Sequence, residues 1–515
     1  MTPAIYNPRQ REFHAYDDRK GKLGLKVALG FMAVAVIGLF FLLFGVEALP
    51  FHVERPYLIP WVIATGIVII APLIYLKKRG EFTLAHPLVY AAGAYFFPIF
   101  FLGGWSLVFG LSNYYYLAFV NNPEYDFPLA FLYIMLGFGA LSLGFLIPPG
   151  RWLGNRVSSW FPTGDFKPVE LVGACIVFLI GGFYATLMAL ELGQIGYQSS
   201  GLILGDVGSL NFYLTIIVPA SAFLLWVAFF RLNEWNVYSY VIIAAQVFTA
   251  GFMLIVLGGK SSLLYSVIYF VGAFVLVKRK IFFRNWVWLT AGLVIALIVG
   301  FVYGTTFRTV KGSDERVSSD QYAELAFDAI AKIGQEDSLA RAQESFLQLA
   351  ERLEIASSLA VVVSNYEALA TYEAGYGLND NIWQYTWTAF IPRFLWKDKP
   401  MIADNYSYNE LYFGYGGFGL AITAMGDLLR NFGPVGVPIG MFVLGFFIRV
   451  FYSALIEGQP FSAWRSVIYF IVLTKISYDS FYGEILPTTL RVAAIIVVQL
   501  LLMRIFVKLF TFRRS

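Results

Sequence analysis

Charge is what this sequence has least of. Only 14% of its 515 residues are Asp, Glu, Lys or Arg, against roughly a quarter in soluble proteins, while 58% are hydrophobic and the mean hydropathy is +0.67. That balance excludes a soluble multidomain protein and points to a chain lying mostly in a membrane. Sulfur and imidazole are nearly as scarce. The single Cys175 sits in an apolar run, so there is no disulfide framework and no cysteine metal site. His14, His52 and His86 are far apart in sequence, which argues against a histidine metal site, and no cofactor motif is present. A net charge of +4 is ordinary and gives no reason to expect nucleic acid. There is no internal repeat, low-complexity tract or soluble-domain boundary.

What is present is a series of apolar runs. About 20 apolar residues suffice to cross a bilayer. That window predicts twelve spans, near 27–46, 58–76, 84–110, 128–147, 168–190, 209–230, 236–257, 261–277, 286–303, 433–455, 461–480 and 485–503. The first lacks a small-residue cleavage site and reads as a retained span, not a signal peptide. The third carries Pro98 and Gly103-Gly104 and is expected to be kinked or broken. The distribution of cations orients the array. With the N-terminus inside, the cytoplasmic loops hold Lys77-Lys78-Arg79, Arg151 with Arg156 and Lys167, Arg231, and Lys278-Arg279-Lys280, whereas 111–127 and 191–208 hold no Lys or Arg. The expected fold is therefore an all-α polytopic membrane protein of about 12 transmembrane helices. Residues 1–303 form nine spans with a cytoplasmic N-terminus, 304–432 a large, partly helical extracytoplasmic loop, and 433–515 three spans with a cytoplasmic C-terminus.

A loop this long is usually functional or disordered. Disorder does not fit, because apolar residues recur at roughly helical spacing from Asp337 to about Tyr366, with Asp337-Ser338 as an N-cap and Gly375 and Gly377 marking the exit. The loop also carries ten cations against the positive-inside trend, among them Arg308, Arg352, Arg393, Lys397, Lys399 and Arg430. Cations held on that side are candidates for anion binding, and the alternative is a solvated loop with self-paired charges. For Lys332, Arg341 and Arg316, in carboxylate-rich surroundings, self-pairing is favoured; Arg352 lies beside the apolar stripe and stays open to either role. The densest stretch is Phe390-Ile391-Pro392-Arg393-Phe394-Leu395-Trp396-Lys397-Asp398-Lys399-Pro400. Its prolines fix φ and remove donors, so a stiff extended turn presenting Arg393 and Lys399 is expected. Arginine suits phosphate through bidentate hydrogen bonds, although the same aromatics would also anchor a loop at the membrane interface.

Three further elements stand out. Gly258-Gly259-Lys260-Ser261-Ser262 is a tight turn between two spans, able to bring backbone N–H groups and Lys260 to an anion. It lacks the spacing of a Walker A loop and serves equally well as a plain hairpin. Asp404, Asn405, Tyr406, Glu410 and Tyr415-Gly416-Gly417 mix carboxylates, amides and aromatics as a sugar cleft requires, or as an interfacial loop does. Lys475 and Asp479 stand four apart in an apolar span, with Arg491 in the next. They read first as a self-neutralising pair that locks the bundle, and second as the core of a proton-coupled transporter.

The run Ile391-Pro392-Arg393-Phe394-Leu395-Trp396-Lys397-Asp398-Lys399-Pro400 resembles the signature of bacterial oligosaccharide repeat-unit polymerases of the Wzy type, enzymes that build O-antigens and exopolysaccharides. Residue-level likeness covers about 60 residues; Arg352, the 258–260 turn and Gly417, Gly419 and Thr423 match only in layout. The resemblance implies a GT-C-like, metal-independent glycosyltransferase of the bacterial inner membrane, with 304–432 periplasmic. It would join undecaprenyl-diphosphate-linked oligosaccharides, with a chain-length regulator and a repeat-unit flippase as partners. It further implies Arg393, Lys399, Lys260, Arg308 and Arg430 as diphosphate ligands, and Arg393 and Arg352 as catalytic. Asp404 or Glu410 would be the base, and Trp396, Tyr406 and Asn405 the sugar contacts. An O-antigen ligase, whose relatives are associated with an outer-loop histidine, and a flippase are the alternatives. Segment 304–432 has no histidine.

Overall fold

The computed structural model describes residues 53–512 except 112–113, 162–164, 193–194, 196–213, 233, 259–261, 279–282, 313–316, 334–350, 380, 389–390, 392–395, 397–404 and 416–421. Among the described residues the secondary structure is helical, with no strand. Among the described residues, seven helices are long and apolar enough to cross a membrane: Pro56–Arg79, Pro87–Val108, Pro123–Leu146, Pro168–Glu191, Val237–Leu257, Ala424–Leu455 and Tyr482–Leu509. Three shorter apolar helices accompany them, Ile217–Leu232, Leu263–Lys278 and Ala463–Leu473. The chain is thus a helical membrane protein. The expected first span, 27–46, lies outside the described residues.

In chain order the elements are α1 (Ile59–Arg79), α2 (Pro87–Val108), α3 (Pro123–Leu146), α4 (Pro148–Val157), α5 (Pro168–Glu191), α6 (Ile217–Leu232), α7 (Val237–Leu257) and α8 (Ser262–Lys278). They continue with α9 (Phe283–Lys311), α10 (Ser319–Ile333), α11 (Ala356–Glu373), α12 (Asn381–Thr388), α13 (Asn405–Phe413), α14 (Ala424–Leu455), α15 (Ala463–Leu473) and α16 (Tyr482–Phe512). Local chemistry sets several of these ends. Gly80, at φ 73°, closes α1 by donating to Leu76 and Lys77 while Lys77, Lys78 and Arg79 face the negative end of its dipole. At the start of α3, Asp126 accepts the Asn122 N–H at 2.9 Å.

Two apolar cores organise the helices. One joins α1, α2, α3 and α14 with the loop helices α11–α13. The other joins α5, α6, α8, α15 and α16. A satellite holds Tyr303 and Phe307 of α9 against Tyr322 of α10. In lipid there is little hydrophobic drive between helices, so close backbone approach must hold them together. The α3–α14 seam shows how. A Cβ on Gly144 would meet the Phe442 carbonyl oxygen at 2.1 Å, and one on Gly445 would meet that of Leu141 at 2.1 Å. Only glycine permits that contact.

The described helices of 304–432 pack against the helices that flank the segment. α11 lies inside the first core, with residues 356–363 buried, and Ser364 donates to Asp126 at the start of α3. The single helix expected over 337–366 is corrected. Residues 334–350 lie outside the described residues, and the chain breaks helix at Glu354-Ile355 before restarting as α11. The cause is local: the buried Glu354 carboxylate accepts the Ser357 N–H at 2.8 Å and pairs with its hydroxyl, which starts a new helix there. Gly377, at φ 67°, ends the turn that follows α11.

α2 is continuous but not regular. Its middle, Ala92–Leu102, is wound as a π-helix around Pro98, a form frequent at functional positions. α14 bends at Gly433, whose φ of 68° and ψ of −168° only glycine adopts readily. The largest departure from expectation is at the eleventh apolar run. α15 ends at Leu473, and 474–481 is non-helical. Its 11 residues extend about 16 Å, roughly half the hydrocarbon thickness of a bilayer.

Candidate functional site

The break at 474–481 is where the two cores meet. Tyr478 O accepts the Ala424 N–H at 3.1 Å, and Asp427 Oδ2 accepts the Gly483 N–H at 3.1 Å, so the break is pinned to the first turn of α14. Tyr482 donates to the Gly440 carbonyl at 2.8 Å. From the other side, Tyr95 in the π-helical stretch packs edge-on against Tyr478, with ring centroids 5.3 Å apart, and Tyr90 follows at 6.3 Å from Tyr95. The non-helical stretch is packed into protein at Ile476, Tyr478 and Phe481. This segment carries Lys475, Ser477, Asp479 and Ser480, with Glu484 in the first turn of α16.

The expected Lys475–Asp479 pair is not formed. With no helix between them, the i,i+4 geometry is lost. Asp479 instead accepts from the Ser477 hydroxyl. Glu484 accepts from Ser480 at 2.8 Å and interacts electrostatically with Arg491. Asp479 is within electrostatic range of the phenols of Tyr95 in α2 and Tyr265 in α8.

The described helices of segment 304–432 cover this break. A Cβ on Gly483 would lie 2.9 Å from the Tyr385 ring and 3.2 Å from Ile382 Cα, so α12 rests directly on the start of α16. Tyr408 of α13 stands edge-on to Phe481 at 5.8 Å. Near the end of α12, Trp387 stacks on Trp396 at 5.6 Å and 24°. Trp396 belongs to the cation-rich run and is held against α12.

Among the residues singled out in the sequence, Arg393, Lys399, Asp404 and Lys260 lie outside the described residues. Asn405 and Tyr406 are half-buried in the first turn of α13, and Glu410 is exposed on it. Arg352 is exposed, next to Leu353, whose carbonyl oxygen is 2.3 Å from where a Cβ on Gly103 would stand; it therefore sits at the far end of α2. Arg308 is half-buried in α9, beside the satellite cluster and apart from α12 and α13.

Arg430 requires correction as a diphosphate ligand. Its side chain is 0% exposed. One terminal nitrogen donates to Glu373 Oε2 at 2.9 Å and the Leu378 carbonyl at 2.8 Å, and the other to Asp427 Oδ1 at 2.8 Å. Tyr412 donates to the other oxygen of Glu373 at 3.0 Å. Burial still raises Glu373 above its ordinary value, against the pull of the guanidinium. Two carboxylates from different elements use the buried cation as a clasp.

Sequence reasoning missed Glu373, Glu484, Tyr95 and Tyr265. For Glu484 a signal existed, a carboxylate at the edge of an apolar run three residues before Pro487. For the others there was none, because their significance arises from contacts across the fold. Among the described residues, no three His, Cys, Asp or Glu side chains are placed to hold a metal ion. Comparison with known proteins finds no matching family model, no matching curated sequence and no matching solved structure.

Proposed function

We propose that the chain is a twelve-span, inner-membrane glycosyltransferase that polymerises lipid-diphosphate-linked oligosaccharides on the outer face of the membrane. The observation that carries this reading is the attachment of the cation-rich run, through Trp396 on Trp387, to the helix that covers the break. On this reading the cations for phosphate and an aromatic surface for sugar stand beside the carboxylates of the break. A diphosphate leaving group is already a stabilised anion, so clamping and positioning supply much of the catalysis. Arg393 and Lys399 hold the donor diphosphate. A carboxylate takes the acceptor proton, with Asp404 and Glu410 from the loop now joined by Glu484 from the break.

A second reading, a flippase for the same class of lipid, is favoured by one observation: Lys475 and Asp479 lie in a broken helix between two helical cores. The experiment that separates the two uses purified protein in detergent with lipid-diphosphate-linked oligosaccharide, no nucleotide sugar and excess chelator. Micelles have no two sides, so transport leaves no product there. A ladder spaced by whole repeats is expected; its absence with bound substrate would refute the polymerase. Transfer to a different acceptor only would mark a ligase.

A further inference from the structure

The connection between α3 and α5 carries cations that the proposed reaction does not use. Its helix α4 is two-faced: Gly150 and Gly154, one turn apart, are buried, while Arg151, Trp152, Asn155 and Arg156 are exposed. The glycines set the packing. A Cβ on Gly150 would meet Arg449 Cγ at 2.8 Å, and one on Gly154 would meet the Val450 carbonyl oxygen at 2.6 Å. α4 therefore lies against the last turns of α14 and turns its Arg/Trp face outward. There Arg156 sits over the Trp152 ring at 5.7 Å, and Trp160 just beyond is exposed as well. The end of α1 stands beside this helix: Arg151 is 3.6 Å from Glu457, and Arg79 is within electrostatic range of the same carboxylate. Glu457 is already neutralised. One nitrogen of the buried Arg449 reaches its two oxygens at 3.0 and 2.9 Å, and Ser453 donates to it at 2.8 Å. Arg79 pairs with Glu81 at 3.3 Å, whereas Lys77, Lys78 and Arg156 are exposed with no carboxylate partner among the described residues.

We infer that the exposed face of α4 and the last turn of α1 form a docking surface for anionic phospholipid headgroups. Position and charge together select this occupant. One or two turns back along α1, α3 and α14, Ile74, Leu143 and Phe447 present apolar side chains outward, so the surface begins where the lipid-facing belt ends. Tyr75, also exposed, accepts from Arg79 at 2.9 Å and holds that guanidinium at the boundary. Aromatic rings with a polar edge favour this level of a bilayer, and arginine and lysine reach from it to the phosphates. An acidic soluble protein would match the cations and leave Trp152 and Trp160 without an apolar phase. A zwitterionic lipid would cover the tryptophans and leave Lys77, Lys78 and Arg156 without a net counter-charge. A lipid with a negative headgroup satisfies both. The surface stands independently of the function proposed above.

The test uses the full-length protein in neutral detergent, titrated with phosphatidylglycerol or phosphatidylcholine carrying brominated acyl chains, and reads quenching of tryptophan fluorescence. Phosphatidylglycerol is expected to quench at lower concentration than phosphatidylcholine, and Trp152→Phe to lose the tightest part of that quench. The triple variant Lys77→Gln, Lys78→Gln, Arg156→Gln breaks none of the ion pairs described above. It should weaken phosphatidylglycerol by at least about tenfold and leave phosphatidylcholine in place, since each cation beside an anionic surface is worth about fivefold. High salt should act on the wild type in the same direction. Equal titration by the two lipids, or a phosphatidylglycerol preference that survives in the triple variant, would overturn the surface. Should the triple variant fail to fold, Trp152→Phe decides alone: an undiminished phosphatidylglycerol-specific quench would overturn the surface. Displacement of the brominated lipid by an equal concentration of glycerol phosphate would mark a plain phosphate site and overturn the assignment to lipid.

Discussion

The Glu373–Arg430–Asp427 clasp makes the sharpest stability prediction. Replacing Arg430 with Met keeps most of the volume and removes the charge, leaving two carboxylates facing each other in the first core with only Tyr412, Asn431 and the Gly483 N–H as donors. Breaking a buried ion pair from one side costs about 3–5 kcal/mol, because the remaining charge stays uncompensated. Arg430 serves two carboxylates, so Arg430→Met is expected at the upper end of that range. Replacing Glu373 with Gln should cost less, since Asp427 keeps the cation neutralised. The triple variant Glu373→Gln, Asp427→Asn, Arg430→Met should recover much of the loss, because no net charge is left buried. Cys175 provides the assay: it is the only cysteine and is fully buried, so a thiol-reactive fluorophore reports unfolding in detergent. An Arg430→Met protein with a wild-type unfolding midpoint but no activity would refute the clasp and return Arg430 to the substrate site.

Burial raises the Glu354 carboxyl to about 7, against the Ser357 hydrogen bonds. A carboxyl raised on folding contributes stability that is complete below its unfolded value near 4.5 and is lost as pH climbs through about 7, up to roughly 3 kcal/mol in all. The wild-type unfolding midpoint should therefore fall as pH rises across that window, and Glu354→Gln should flatten the slope; an unchanged slope in the variant would contradict the assignment. Gly445→Val should force α3 and α14 apart and abolish the folded monodisperse species in size-exclusion chromatography. Gly139→Ala, on the same helix as Gly144, is the control and should elute as the wild type, since nothing lies within 4 Å of its Cβ position. Arg393→Ala should abolish long-chain glycan at unchanged protein level; normal chain lengths in that variant would sink the polymerase reading.

How much of this was legible in the sequence depended on whether the determining interaction was local. Membrane helices are local objects: the apolar runs at 58–76, 128–147, 168–190 and 236–257 each hold a described helix, with the turn and cap chemistry beside it. The break after Leu473 was hidden, because Ile476 and Tyr478 continue the apolar character of α15 and mask the loss of helix. Lys475 and Asp479 stand four apart in sequence, and only the backbone decides whether that spacing means contact. Arg430 looked like a free cation because Glu373, its partner, is 57 residues away. Trp396 was visible as an aromatic beside cations, but its seat on Trp387, and through α12 on Gly483, belongs to the tertiary structure.

The glycine seam between α3 and α14 also has a consequence in time. The two helices touch backbone to backbone, yet residues 147–423 separate them in the chain. At a synthesis rate of roughly 5–20 residues per second, α3 waits on the order of 15–60 seconds before its partner leaves the ribosome. Through that interval Gly137 and Gly144 present an unfilled groove to lipid, and α11 has only half of its eventual surroundings. The early helices must therefore be held as a loose assembly until the last fifth of the chain arrives and closes it. A ribosome that stops before Ala424 releases a protein whose spans are inserted and whose central seam is open, the kind of product that membrane quality-control proteases are built to recognise.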